Sequence, residues 1–122
     1  MVTITYERAS GLAPTRLEIK GHALYGQAGQ DVLCSALSIL MHTAAKTVEE
    51  MQEKGWLMEE PTLELSVGQG VVELIPSPKY SVLATEKMDT VVTGLRLLEA
   101  YYPKYVKIMQ NAECRTEKMQ NS

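Results

Sequence analysis

The sequence is poor in cysteine and histidine, with two of each. Cys34 and Cys114 are too few for a disulfide scaffold and too far apart for a CxxC redox pair or zinc knuckle, so both are expected as reduced thiols. His22 and His42 show no paired-ligand spacing, so neither a metal nor another cofactor is expected. No run approaches the roughly 18 to 20 consecutive apolar residues that a bilayer span needs. The opening segment MVTITYERAS also lacks the basic-then-apolar layout of a secretory signal. The expected location is cytoplasmic, with no membrane partner. Positive charge is not in excess either: twelve Lys and Arg against fifteen Asp and Glu give a net charge of -3. That excludes a broad basic face for nucleic acid, so no direct nucleic-acid partner is expected, although a local patch stays open. No internal repeat is visible beyond two hairpin patterns.

What is present suffices for one domain. A chain of 122 residues, 45% hydrophobic and 22% charged, can bury roughly two-thirds of its unfolded surface without covalent staples. Residues 2–8 alternate Val2, Ile4 and Tyr6 with polar neighbours, and residues 16–20 repeat the pattern with Leu17 and Ile19. The period of two predicts a hairpin, with Gly11 and Pro14 in the reversal. Residues 21–30 form a loop containing Gly21, Gly26 and Gly29. Beyond it Leu33, Leu37, Leu40, Met41, Ala44, Val48 and Met51 recur at steps of three and four, predicting a helix over 31–54 with Asp31 at its N-cap.

A second hairpin is expected from strands at 62–67 and 71–75, with Gln69-Gly70 as the tight turn. Met88, Val91, Val92, Leu95, Leu98 and Tyr102 mark a second helix from near Ser81, which Pro103 stops. A short strand at 105–109 follows. The order ββαββαβ implies an α+β domain over residues 1–111, a mixed β-sheet with two helices on one face. Residues 112–122, polar and without periodicity, are expected as a disordered tail.

Chemistry concentrates in residues 21–38, GHALYGQAGQDVLCSALS. There His22 and Cys34 flank a loop that runs into a helix. A thiol in a helix's first turn meets free N–H groups and the positive end of the helix dipole, which stabilise the nucleophilic thiolate. The loop allows His22 to approach Cys34, take the thiol proton and later protonate a leaving amine, while free amides hold an oxyanion. The plainer reading stands beside this one, since a lone helical cysteine is ordinarily a small buried hydrophobe. Asp31 has two readings, helix cap or orienter of His22. Ser38, one turn from Cys34, bonds either the site or the backbone behind it. His42 lies two turns on, where a structural or surface role is expected, and Cys114 is a bystander. Met41, Met51 and Met88 read as core filler.

The set Gly21-His22-Ala23, Gly26, Gly29, Asp31, Cys34 and Ser38 resembles the signature of the ribosomal-processing cysteine proteases, the bacterial Prp family. The resemblance runs from the opening hairpin to Tyr102-Pro103-Lys104-Tyr105-Val106-Lys107-Ile108. It implies a dyad of Cys34 as nucleophile and His22 as general base and acid, with Asp31 and Ser38 in support. It implies that the loop bearing Gly21, Gly26 and Gly29 moves over the substrate. The implied substrate is the precursor of large-subunit ribosomal protein number twenty-seven, trimmed of its N-terminal extension for ribosome assembly, and the implied assembly is a homodimer. Leu33 and Ser35 stand where Val and Ala are more usual, and the tail departs from the family pattern. Two other classes compete. An anion-binding module is disfavoured because residues 21–31 contain no Lys or Arg and Asp31 repels an anion. A non-catalytic ribosome-assembly partner fits the acidic balance.

Overall fold

The computed structural model describes residues 1–8, 14–21, 30–66 and 68–110. The elements are β1 (Val2–Glu7), β2 (Thr15–Lys20), α1 (Gln30–Glu53), β3 (Thr62–Ser66), β4 (Gln69–Leu74), a 3-10 turn (Pro78–Tyr80), α2 (Ser81–Tyr101) and β5 (Val106–Met109). The strands form one sheet in the order β3-β4-β2-β1-β5. β5 runs parallel to β1 and every other pairing is antiparallel. The expected α+β domain with a mixed sheet and order ββαββαβ is therefore the observed one.

Alternation along the strands leaves one face of the sheet buried. Val2, Ile4, Tyr6, Leu17, Val72 and Leu74 from the strands join Leu33, Leu37, Met41, Val48 and Met51 of α1 and Met88, Val92 and Leu95 of α2 in a single core. The three methionines read as core filler are 3%, 1% and 0% exposed, filling gaps between less adaptable side chains. The helices approach closely at Gly94, where a Cβ would come within 2.8 Å of Leu40 Cδ2. The fully buried Tyr6 keeps its hydroxyl bonded by donating to Asp89 Oδ1 at 2.7 Å. Arg8 Nε stands 3.1 Å from Asp89 Oδ2, an ion pair outside hydrogen-bond alignment. On the open face Arg16 lies opposite Glu73 and also reaches Glu18, at 3.2 and 3.3 Å. Its pKa is held above the ordinary guanidinium value, chiefly by the Glu73 hydrogen bond.

The second hairpin turns elsewhere than expected. Ser66 pairs with Gln69 and Leu65 with Gly70, so Gln69 and Gly70 belong to β4 and the reversal lies before Gln69. Gly68, at φ +83°, supplies the left-handed backbone of that turn. Gly70 answers a packing need instead: a Cβ there would lie 2.8 Å from Leu65 Cδ2 and 3.3 Å from Ile19 Cγ2. α1 ends in a Schellman turn, with Gly55 at φ +75°, its amide donating to Gln52 O and the Trp56 amide to Met51 O. α2 ends at Tyr101, and Pro103 cannot extend it.

Candidate active site

The site is built where β2 hands the chain to α1. Gly21 closes that strand: its amide donates to Gly68 O at 2.9 Å and its φ is +141°. A Cβ at Gly21 would collide with the Met1 carbonyl oxygen and lie 2.8 Å from Val2 Cα. The first residue of the glycine-bearing loop is thus wedged between the start of β1 and the β3–β4 turn, at a conformation that L side chains rarely adopt. Gly21→Ala is expected to cost about 1–3 kcal/mol through combined backbone strain and collision. In thermal unfolding that is a fall in Tm of roughly 5–15 °C. Gly55→Ala, also at positive φ but with nothing within 4 Å of its Cβ position, is the control and should cost less. Equal losses would mean that the contact with Met1 and Val2 contributes nothing.

Residues 22–29 lie outside the described residues, so the structure is silent on His22, Gly26, Gly29 and any approach of His22 to Cys34. Cys114 and the rest of 111–122 lie outside them as well.

The helix opens one residue earlier than expected. With Gln30 first, Asp31 is the second helical residue instead of the N-cap, and Cys34 is the fifth. By the i to i−4 pattern the Cys34 amide belongs to the helical ladder, and the unpaired amides are those one turn before it. The positive pole of α1 therefore acts on the thiol from the preceding turn, and the expectation of a first-turn cysteine among free N–H groups is corrected to that extent.

Cys34 is half-buried and packs against the rim of the core. Its outer side opens on a shallow cavity of about 460 Å³, lined by Cys34, Ser35, Ser38, Ile39 and His42. Ser38 thus faces the same cavity as Cys34. It also meets His42, whose Nδ1 lies 2.8 Å from Ser38 O and 3.4 Å from Ser38 Oγ. Because a carbonyl only accepts, the short contact is a hydrogen bond in the tautomer that carries the proton on Nδ1. His42 is exposed, as expected, yet it closes the far end of the cavity that begins at Cys34. Ile39 was not singled out from the sequence, and Ser35 only as a departure from the family pattern beside the cysteine. The signal was the helical period itself, since positions 34, 35, 38, 39 and 42 form one stripe opposite the buried one. Ile39 is 64% exposed and gives the stripe an apolar wall. Among the described residues no three His, Cys, Asp or Glu side chains gather as a metal site, and no helix is long and apolar enough to cross a membrane.

A thiol near the positive end of a long helix, half-buried and opening on a cavity, has the exposure and field that a nucleophilic cysteine needs. The chain belongs to the family described as cysteine protease Prp, whose pattern matches residues 1–107. Among solved structures it is similar to an essential ribosomal processing protease Prp from S. aureus in complex with a substrate peptide. That likeness has a TM-score of 0.62 at 17% identity, over 91% of this chain and 100% of that one. The same S. aureus protease with a covalently linked product peptide aligns with a TM-score of 0.61 at 18% identity, again over 91% and 100%. The protein SMU.848 from Streptococcus mutans aligns with a TM-score of 0.60 at 22% identity, over 91% and 96%. No curated protein matches the sequence significantly.

Proposed function

We propose that this cysteine protease is an endopeptidase that removes the N-terminal extension of the precursor of large-subunit ribosomal protein number twenty-seven, acting in the cytoplasm as a homodimer. The observation that carries the reading is the placement of the half-buried Cys34 thiol at one end of an open, partly apolar cavity of about 460 Å³. The family match over residues 1–107 and the likeness to a protease solved with a substrate peptide support it.

In this reading His22 takes the Cys34 proton and the thiolate sulfur attacks the scissile carbonyl carbon. The oxyanion so formed is held by donors near the start of α1. Collapse of the intermediate breaks the C–N bond as His22 returns the proton to the leaving amine, leaving a thioester on Cys34. Water, deprotonated by His22, then releases the acid and restores the thiol. Asp31 orients His22, and Ser38 supports the site from the groove. Incubating the purified chain with the ribosomal precursor and sequencing the product by mass spectrometry tests the reading. A single new N-terminus after the extension is expected; an intact precursor at catalytic and stoichiometric enzyme overturns it, and leaves the non-catalytic assembly partner as the better account.

A further inference from the structure

The turn that ends α1 brings an aromatic pair and three lysines together at the opposite end of that helix from Cys34. Trp56, positioned by the Gly55 turn, stacks on Tyr80 with ring centroids 5.2 Å apart and planes 5° from parallel. Lys54 Nζ lies 5.1 Å and Lys87 Nζ 6.0 Å from the Trp56 centroid, and Lys79 Nζ lies 5.5 Å from that of Tyr80. Two stretches separated in sequence supply these charges: Lys54 from the turn after α1, and Lys79 and Lys87 from the contiguous 3-10 turn and α2.

Among the described residues the lysines of the cluster are not paired with carboxylates, although Glu53, Glu59, Glu60 and Glu86 are exposed neighbours. The chain has more acidic than basic residues, and Arg8, Arg16, Lys20 and Lys46 each have an acidic partner. Among the described residues none lies within ion-pairing distance of Lys54, Lys79 or Lys87. The start of α2 adds to the field, since its first turn holds no acidic residue and its N-cap, Tyr80, makes no side-chain cap. Like charges this close repel, and the ring faces offset only part of that repulsion, so the three ammonium groups are left without a counter-charge at ion-pairing distance among the described residues.

We infer that Trp56, Tyr80, Lys54, Lys79 and Lys87 form a binding surface for single-stranded RNA. In that complex the flexible ammonium groups leave the outer ring faces for phosphates and bases stack on the faces so freed, which holds a single strand without reading its sequence. An acidic peptide would use the ammonium groups and leave the rings without a role. A flat anionic bilayer would press the exposed neighbours Glu53, Glu59, Glu60 and Glu86 against the same negative surface, whereas a narrow strand has room to follow the lysines and rings between them.

Trp56 is the chain's one tryptophan, so its fluorescence reports occupancy of this surface directly. Titrating the full chain with an oligouridylate of about ten nucleotides is expected to quench it. The binding constant should fall with salt at a log-log slope of about −2, the value for three phosphates on a single strand. Lys54→Gln, Lys79→Gln and Lys87→Gln together should weaken binding at least tenfold, whereas Lys104→Gln with Lys107→Gln should leave it unchanged. Lys79→Glu, a single exposed change, repeats the test should circular dichroism show the triple variant unfolded. Absence of quenching, a flat salt slope or full binding by the lysine variants overturns the proposal, as does equal quenching by polyglutamate or by phosphatidylglycerol vesicles. No step of this test depends on Cys34 or on the proteolytic substrate, so it succeeds or fails separately from the proposed cleavage.

Discussion

Cys34→Ala is expected to abolish cleavage of the ribosomal precursor, by at least about a thousandfold in kcat, while the fold and substrate affinity persist. A nucleophile acts only as the bond is made, so its removal lowers the rate without removing groups that hold the substrate. The structural cost is small because Cys34 is half-buried at the rim of the core, and loss of its sulfur opens little cavity, about 1 kcal/mol at most. Precursor capture by the alanine variant, measured by co-elution, together with loss of the cleaved product, is the expected pair of results. Substantial cleavage by Cys34→Ala would remove the thiol from the mechanism. Cys114→Ser should leave cleavage unchanged, because Cys114 lies beyond residues 1–107, which carry the match to the protease family.

The second large effect is expected at His22. His22→Ala should lower kcat by roughly 10²–10⁴, the usual contribution of a positioned general base. The same change should slow alkylation of Cys34 by iodoacetamide near neutral pH, since the thiolate loses its cationic partner. Alkylation separates a chemical role from a structural one, for it reads the thiol without substrate. Coincident alkylation profiles of the two proteins, from acid to alkaline pH, would show that His22 does not tune the free thiol.

Much of the framework was legible because it is periodic. Leu33, Leu37, Met41, Ala44, Val48 and Met51 repeat at helical steps and all prove buried, and Val2, Ile4 and Tyr6 alternate as a strand facing the core. Periodicity says which side of an element is buried, and a core of this size has one inside, so the patterns alone lead to a sheet covered by two helices. Ends of elements were less legible. Gln30 enters α1 although Asp31 is the better capping residue, and that shift moves Cys34 into the second turn. Propensity for a cap is worth about 1 kcal/mol, too little to fix a helix start by itself.

The sequence by itself determined the α+β order, the buried face of each element and the Cys34 thiol near the start of a long helix, because each rests on residues close together along the chain. Only the tertiary structure decided that Gly70 sits in a strand under Leu65 and Ile19 while Gly68 turns, since the need for a missing side chain comes from neighbours across the sheet. It alone joined Ser35, Ser38, Ile39 and His42 to Cys34 in one groove and wedged Gly21 against Met1 and Val2. It also gathered Lys54, Lys79 and Lys87 around Trp56 and Tyr80 in a chain whose net charge is negative. Local periodicity orients a side chain toward core or solvent, but which distant side chains it meets there follows from the packing of whole elements.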